Sequence, residues 1–274
     1  MGTARPAIGV IVPTYGHFDY AAAAVESCWQ CTNTANIYCL LVDDASPEFY
    51  QSGGEVPECI QPLLQHGRNN HAPLRLMRFE QNGGLTRSWN AGLHAFMGTA
   101  VDYIVCTNSD VLFTPGWHEP LIAALDCDYA LVGPLSNAPG DTAKGEQLVT
   151  RYIGYAPTDS PESLARVAEL LRARYRNTTI ASPINGFFMM ARKESWYKGA
   201  WSQGSGHVFR PVNALNSRGQ LNPTPLMTLN EDELQERWRK LGMRSAIALD
   251  SFILHYRAVS RGDKHRRDLW LRRR

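Results

Sequence analysis

Apolar runs separated by an Ala-rich segment constrain the fold of this chain most. Residues 8–12 and 37–42 are apolar and of strand length, while residues 18–30 between them are Ala-rich and typical of a helix. A strand, a helix and a second strand at this spacing predict parallel neighbours, because parallel strands need a long crossover connection. Residues 103–106 predict another buried strand. The chain is therefore predicted to be an α/β protein with a mostly parallel sheet flanked by helices.

Each of these three predicted strands ends in a short polar stretch. Thr14 follows the first strand, Asp43 the second and Asp110 the third. Because open α/β sheets bind ligands beyond the carboxyl ends of their strands, we expect these side chains to share one ligand-binding edge. A carboxylate fixed at the tip of a buried strand suits a divalent cation that holds a diphosphate. The alternative for Asp110 is that it only caps a turn, which Asn, Ser and Asp all favour.

Several common site types are missing from the sequence. The turn at residues 13–16 lacks the Gly-x-Gly-x-x-Gly of dinucleotide-binding proteins, and no Gly-x-x-x-x-Gly-Lys-Ser/Thr of a P-loop ATPase occurs. Cys28 and Cys31 have redox spacing, but they fall at the end of the predicted helix, whereas reactive thiols prefer a helix N-terminus. No second Cys-x-x-Cys completes a zinc site.

A series of short motifs accompanies the predicted strands and helices. They are Pro13-Thr14-Tyr15, Val42-Asp43-Asp44-Ala45-Ser46, Asn82-Gly83-Gly84 with Asn90-Ala91-Gly92, Asn108-Ser109-Asp110, Asn185-Gly186-Phe187-Phe188-Met189, Glu231-Asp232-Glu233-Leu234 and Ile253-Leu254-His255. Together they resemble the successive motifs of glycosyltransferase family 2, over roughly residues 8–257. The resemblance implies a GT-A-like fold with a Rossmann-like sheet, a nucleotide-sugar donor and inversion at the anomeric carbon.

The resemblance also implies which residues bind the donor. The first acid after the second strand, Asp43, is expected to bind the nucleoside through a pyrimidine N–H or the ribose hydroxyls. Arg87 follows the double glycine, where the family often has a basic residue near the nucleotide. The alternative is that Asp43 and Asp44 cap the next segment and Arg87 is a solvated helix residue. The donor-binding set is Pro13, Thr14, Tyr15, Asp43, Arg87, Asn90, Asn108, Ser109, Asp110, Arg261 and Lys264.

A metal site is expected at the Asn108-Ser109-Asp110 turn. The family has an Asp-x-Asp there, so Asn108 is a departure that removes one negative charge. Asp110 is expected to be the main ligand, and His255 matches a His found late in many family members. One carboxylate and one neutral imidazole, together with phosphate oxygens, suit Mn²⁺, or Mg²⁺ with waters.

The resemblance makes Asp232 the catalytic base, because the family places the Asp of a Glu-Asp pair at the start of a helix. The helix dipole lowers the pKa of a first-turn carboxylate, whereas the neighbouring acids oppose this. The alternative is a group of acids that merely favours a helix N-terminus. The acceptor-binding set is Asn185, Gly186, Glu231 and Trp201. Trp201 can stack on a sugar or a base, and it fits a core position equally well.

Residues 1–133 are expected to form the nucleotide-sugar-binding half and residues 134–257 the acceptor-binding and catalytic half of one GT-A domain. Residues 258–274 form a basic C-terminal tail. Residues 255–274 contain eight basic and two acidic side chains, a net charge of +6 within a chain of net charge +2. No apolar run approaches the roughly 20 residues that span a bilayer, and the N-terminus lacks the apolar region of a signal peptide. A cytoplasmic protein is therefore expected.

The expected activity is that of a metal-dependent inverting glycosyltransferase, with a UDP-sugar favoured as donor. The expected acceptor is a saccharide or lipid-linked saccharide of surface polysaccharide synthesis. A DNA base is the alternative, because phage enzymes glycosylate hydroxylated bases and an Arg-rich tail supplies phosphate contacts. A nucleotidyltransferase normally has a Gly-rich basic loop after its first strand, which residues 13–16 do not match. An inactive nucleotide-sugar-binding module remains open because of Asn108.

Overall fold

The structure, a computed structural model, describes residues 5–51, 53–69, 73–140, 142–202, 206–211 and 230–257. The strands are β1 (Ala7–Thr14), β2 (Asn36–Asp43), β3 (Leu74–Arg78), β4 (Tyr103–Thr107), β5 (Val111–Phe113), β6 (Leu131–Leu135), β7 (Thr179–Ala181), β8 (Phe188–Arg192) and β9 (Ser245–His255). The helices are α1 (Phe18–Gln30), α2 (Pro47–Gln51), α3 (Gln61–Asn69), α4 (Leu85–Met97), α5 (His118–Asp126), α6 (Thr150–Ile153), α7 (Pro161–Tyr175), α8 (Lys193–Lys198) and α9 (Asn230–Lys240), with a 3₁₀ turn at Thr142–Gln147.

The strands form one sheet in the order β3-β2-β1-β4-β8-β6-β9-β5, and β7 pairs with β9. Strands β3, β2, β1 and β4 are parallel neighbours, as the strand–helix–strand pattern predicts. Strand β8 runs antiparallel to both β4 and β6, which the apolar pattern of residues 187–191 does not reveal. The predicted α/β architecture is confirmed.

Two hydrophobic cores lie on the two faces of the sheet. The first contains the Ala-rich face of α1 together with α5, and the second contains Trp89, Leu93 and Phe96 of α4 together with α7 and α9. Because helices cover both faces, seven of the eight residues of β1 and all five of β4 are buried. This is why these strands are continuous apolar runs rather than alternating ones.

The strand register brings the predicted polar residues to one edge. Thr14 pairs with Asp43, and Asp43 in turn pairs with Arg78 at the end of β3. Asn108 directly follows β4. Strand β5 then pairs with β9 so that Val111 faces His255, and the backbone N–H of Tyr256 donates to the carbonyl of Asp110, 2.9 Å away. Residues more than 140 positions apart in the chain therefore meet at the tip of β4.

The predicted division into halves falls inside a strand, because residues 133 and 134 both belong to β6. The two halves therefore share one sheet, and the division is a proposal about function. Arg261, Lys264 and the whole predicted tail, residues 258–274, lie outside the described residues. None of the helices within the described ranges combines the length and the apolarity that a membrane span needs.

Candidate active site

The turn after β4 is held tightly at its base. Thr107 donates its hydroxyl to the carbonyl of Phe187, 3.0 Å away, and the backbone N–H of Asn108 donates to the same oxygen at 2.9 Å. The indole N–H of Trp89 donates to the carbonyl of Thr107. These bonds fix the direction in which the Asn108-Ser109-Asp110 turn leaves the sheet, so that the Asp110 carboxylate has a defined position.

His255 lies directly opposite this turn. Its Nε2 is 3.2 Å from Oδ1 of Asp110 and 3.3 Å from the side-chain amide nitrogen of Asn108. The imidazole stacks on Phe187, with ring centroids 5.2 Å apart and ring planes 17° from parallel. The two predicted metal ligands, Asp110 and His255, are thus brought together beside Asn108, although they come from the ends of two different strands.

The other ring nitrogen of His255 decides its tautomer. Nδ1 lies 2.7 Å from the carbonyl oxygen of Ala138. A carbonyl can only accept, so Nδ1 carries the hydrogen, and in the neutral ring Nε2 presents a lone pair toward Asp110 and Asn108. A metal-binding His commonly donates its second nitrogen to a backbone carbonyl in this way.

The donor atoms fit a small divalent cation. Octahedral Mg²⁺ holds its ligands about 2.1 Å away, so adjacent ligands lie about 3 Å apart. The observed 3.2 Å between His255 Nε2 and Asp110 Oδ1 matches that spacing. Within the described ranges no group of three or more His, Cys, Asp or Glu side chains is placed to hold a metal. Asp110 and His255 would supply two ligands, leaving room for phosphate oxygens and water.

Asp43 is directed into the protein. Its side chain is 0% exposed, and its Oδ1 accepts hydrogen bonds from the backbone N–H and the hydroxyl of Ser46. Oδ2 lies 3.4 Å from Nε of Arg78. Burial raises the pKa of the Asp43 carboxyl, while the Ser46 hydrogen bonds and the Arg78 charge oppose this rise. The geometry is that of a turn cap, the alternative weighed from the sequence, and contact with a nucleoside stays a prediction.

Asp44 is a site residue that the sequence analysis missed. It accepts hydrogen bonds from the backbone N–H groups of Gly83 and Gly84 and from the guanidinium of Arg87, 2.6 Å from its Oδ1. Arg87 also lies over the ring of Phe79, 3.9 Å from its centroid. Arg87 is thus a paired residue rather than a solvated one, and its contact with a donor stays a prediction. The sequence signal was the pair of adjacent acids at the end of β2, which does not show which of the two binds the glycine turn.

Other predicted donor residues serve the backbone or face solvent. The hydroxyl of Thr14 donates to the carbonyl of Gly16, 2.6 Å away, while Tyr15 next to it is 48% exposed. The side-chain oxygen of Asn90 accepts from the N–H groups of Val208 and Phe209, and its nitrogen donates to the carbonyl of Phe209. Asn90 therefore fastens residues 208–209 to α4. Direct donor contacts of Thr14, Asn90, and likewise Pro13 and Ser109, stay predictions.

The first turn of α9 is docked beside Asn185 and Gly186. The side chain of Gln235 accepts a hydrogen bond from the backbone N–H of Ile184 at 2.8 Å and donates one to the carbonyl of Ile184 at 2.9 Å. These are the two backbone bonds that a neighbouring strand would make. A Cβ on Gly186 would lie 2.9 Å from the carboxyl carbon of Glu231, so glycine is what lets this carboxylate approach. Asp232, in the same turn, is partly exposed. The Glu-Asp pair thus lies next to the segment that leads through Phe187 to the metal-site turn.

Gln147 is a second residue that the sequence analysis missed. Its side chain is 0% exposed, and Nε2 donates to the carbonyl of Pro134. Oε1 accepts from both the backbone N–H and the side-chain amide of Asn185, at 2.6 and 3.0 Å. A Cβ on Gly133 would lie 2.9 Å from Nε2, so a glycine there makes the room. Nothing in the local sequence around Gln147 signals partners 13 and 38 residues away.

We expect Gln147→Leu to destabilise the protein by about 2–4 kcal/mol. The substitution removes three hydrogen bonds and leaves buried polar groups of Pro134 and Asn185 without partners, each costing about 1–3 kcal/mol before relaxation. Urea unfolding measures the loss. The matched control is Gln65→Leu on the exposed face of α3, which should change the free energy of unfolding by less than about 0.5 kcal/mol. Equal stabilities of the two variants would contradict the role given to Gln147.

Trp201 is 40% exposed, so the core position considered for it is not what the structure has. Its backbone N–H donates to the carbonyl of Val208, and this segment is tied to α9. Arg237 of α9 donates to the carbonyls of Gly199 and Val208, and the indole of Trp238 donates to Gly199 at 2.8 Å. An exposed aromatic on an anchored segment is compatible with sugar stacking, which stays a prediction.

Comparisons with known proteins give both a family and a fold. The family model described as "Glycosyl transferase family 2" matches residues 9–196, which include the β1, β2 and β4 tips and Asn185 but not Asp232 or His255. No curated protein sequence matches significantly.

Solved glycosyltransferase structures share the fold at low identity. GalNAc-T7 with UDP, GalNAc and Mn²⁺ aligns with a TM-score of 0.59 and 15% identity, over 91% of this chain and 43% of that one. The mannosyltransferase PcManGT from Pyrobaculum calidifontis, in complex with GDP-Man and Mn²⁺, gives 0.53 and 15%, over 92% and 57%. S. aureus TarS 1–349 gives 0.51 and 14%, over 90% and 60%. This chain thus spans about half the length of these proteins, and the likeness confirms the GT-A-like fold.

Proposed function

Because the chain belongs to glycosyl transferase family 2, we propose that it transfers a sugar from a nucleotide diphosphate donor to an acceptor hydroxyl with inversion at the anomeric carbon. The observation that carries this proposal is the meeting of Asp110 and His255 at the tip of β4, with Nε2 and Oδ1 3.2 Å apart. A neutral imidazole and a carboxylate at this spacing are suited to a divalent cation shared with a diphosphate.

The donor lies along the edge formed by the β1, β2 and β4 tips, within residues 1–133. A UDP-sugar is favoured, in line with UDP in GalNAc-T7, although the mannosyltransferase neighbour holds GDP-Man. Tyr15, exposed beside the β1 tip, offers a face on which a base can stack. Arg87 and Asp44 fix the glycine turn that borders this edge.

Asp110 and His255 would hold Mn²⁺ or Mg²⁺, which, when bound, supplies the positive charge that neutralises the leaving diphosphate. Mn²⁺ in two of the neighbours is consistent with this choice. Asn108 keeps the site at a single carboxylate, so the metal is expected to bind strongly only together with the diphosphate.

Asp232 acts as the general base. Its carboxylate takes the proton of the acceptor hydroxyl as that oxygen attacks the anomeric carbon of the donor sugar. The bond between this carbon and the diphosphate oxygen breaks on the opposite face, which inverts the configuration, and the proton remains on Asp232. The first turn of α9 is held beside Gly186 by Gln235 and Ile184, which supports a fixed position for this base.

The acceptor lies against residues 134–257, near Asn185, Gly186, Glu231 and Trp201. A saccharide or lipid-linked saccharide is the first candidate, because Trp201 is an exposed aromatic on a segment tied to α9. A DNA base is the second, and the sequence observation in its favour is the net charge of +6 over residues 255–274.

A thermal-shift screen of nucleotide sugars, each with and without Mn²⁺, tests the proposal. The correct donor should raise Tm more with Mn²⁺ than without it, because tighter binding stabilises more: a ligand at 100 times its Kd stabilises by about 2.7 kcal/mol. A donor that stabilises the protein but is never cleaved in the presence of candidate acceptors would favour the inactive module. Stabilisation by a nucleoside triphosphate with release of pyrophosphate would favour a nucleotidyltransferase. No metal-dependent shift with any nucleotide sugar would contradict the proposed function.

A further inference from the structure

The chain after β6 forms a loop that contacts both parts of the candidate site. This β6 loop, residues 136–140 and 142–149, begins beside His255. Near its other end, Gln147 binds Asn185. None of its residues belongs to the site set expected from the family resemblance. The loop therefore contains candidates for residues that position the site without touching a substrate.

Asn137 binds the backbone of His255 at two points. Its Oδ1 accepts from the N–H of His255 at 2.8 Å, and its Nδ2 donates to the carbonyl of the same residue at 3.1 Å. The side-chain amide thus takes the place of a neighbouring strand at the last residue of β9. Both partners lie 118 positions away in the sequence, and the pairing holds the Cα of His255 in place.

The next residue of the β6 loop acts on the imidazole. The carbonyl of Ala138 lies 2.7 Å from Nδ1 and accepts its hydrogen, which leaves Nε2 as the atom that faces Asp110. The ring is also stacked on Phe187, 17° from parallel, so rotation about the side chain is restricted. Backbone and ring of His255 are therefore both held by consecutive residues of one loop.

The β6 loop is itself anchored at both ends. The N–H of Ser136 donates to the carbonyl of Gln147 at 2.8 Å, and the N–H of Val149 donates to the carbonyl of Ser136 at 2.8 Å. The hydroxyl of Ser136 accepts from the N–H of Ala138. Gln147 then fixes this base to Pro134 and Asn185. Asn137 and Ala138 therefore follow a residue, Ser136, whose backbone is held by hydrogen bonds to Gln147 and Val149.

We propose that Asn137 is a positioning residue: together with the Ala138 carbonyl it holds His255 in the Nδ1–H form, with Nε2 directed at the metal position beside Asp110. The inference rests on the proposed function for the identity of the ligand, but not for the state of the ring. Without Asn137, the end of β9 loses its two side-chain hydrogen bonds, and the Nδ1···Ala138 contact loses its fixed geometry.

The experiment compares wild type with Asn137→Ala and Asn137→Ser. The first readout is the ¹H–¹⁵N spectrum of the imidazoles, recorded over a pH series up to about pH 9 so that the neutral form of each ring is observed directly. The His255 signal is identified by its absence in His255→Gln. We expect the Nδ1–H form in wild type and a mixture, or the Nε2–H form, in both Asn137 variants. Asn36→Ala, at the exposed start of β2, is the matched control and should leave the signal unchanged.

The second readout is the Kd of UDP with and without Mn²⁺, measured by calorimetry. Loss of a residue that orients a metal ligand typically weakens metal binding by about 10–100-fold. We therefore expect the Kd of UDP with Mn²⁺ to rise by about tenfold or more in the Asn137 variants, while the Kd without metal stays the same. A purely structural role would instead weaken both Kd values equally or lower only Tm.

The outcomes separate this inference from the proposed function. If wild type binds neither UDP nor GDP better with Mn²⁺, the proposed function fails, and the imidazole spectrum still decides whether Asn137 sets the state of His255. An unchanged His255 signal in folded Asn137→Ala and Asn137→Ser would overturn the inference. So would a changed signal accompanied by undiminished enhancement of UDP binding by Mn²⁺.

Discussion

Replacing Asp232 with Asn is expected to lower kcat by about 10²–10⁴-fold, the usual cost of losing a general base, while the Kd of the donor stays unchanged. The amide preserves the shape of the side chain in the first turn of α9 but cannot take the acceptor proton. Steady-state kinetics with the donor found by the thermal-shift screen measures kcat, and calorimetry measures the donor Kd.

Glu233→Gln is the matched control for Asp232→Asn. It removes the same charge from the same helical turn, and the ion pair it breaks with Arg237, 2.9 Å long and partly exposed, contributes at most about 1 kcal/mol. This variant should keep a kcat close to wild type. If Asp232→Asn also turns over like wild type, the acids at the start of α9 only favour the helix N-terminus, and the base lies elsewhere.

The second large effect is expected for Asp110→Ala. We expect Mn²⁺ to stop strengthening UDP binding, a loss beyond the 10–100-fold typical of residues that merely orient a ligand. His255→Ala should weaken the same enhancement less, because one carboxylate remains. The control is Asp102→Ala, which changes the same residue type just before the opposite end of β4, where its carboxylate accepts from the N–H of Ala7. Equal Mn²⁺ enhancement in Asp110→Ala and wild type would remove Asp110 from the metal site.

The parts of the fold predicted from the sequence are those with a local signal. The strands β1, β2 and β4 are runs buried on both faces, and the crossover helix α1 requires β1 and β2 to be parallel. The direction of β8 is not local. It depends on its register with β4, where Thr107 faces Phe188, and no apolar run encodes that choice.

In the candidate site, too, some residues could be named from the sequence and others could not. Asp110 at the tip of β4 and His255 at the end of β9 could be named from the sequence, and their meeting follows from pairing between β5 and β9. The distinction between Asp43 and Asp44 could not. Which acid caps the turn and which binds the Gly83-Gly84 turn depends on the direction in which the chain leaves β2, a property of the folded backbone.

The residues that brace the site were missed for a related reason. Asn137, Gln147 and Gln235 are neutral amides, and their bonds to His255, Pro134, Asn185 and Ile184 connect residues 13 to 118 positions apart. An amide in a loop or a helix looks like an ordinary polar residue until its partners are known. Asn90 illustrates the converse, because a motif residue expected at the donor also holds the backbone of Val208 and Phe209, a role that the motif does not indicate.

The most direct measurement is the anomalous diffraction of Mn²⁺ in crystals grown or soaked with Mn²⁺ and UDP. We expect one strong peak within about 2.0–2.3 Å of both an oxygen of Asp110 and Nε2 of His255, with diphosphate oxygens completing the coordination. We also expect the uridine along the edge formed by the tips of β1 and β2. A peak bound by other residues, or UDP bound away from this edge, would contradict the proposed metal and donor sites.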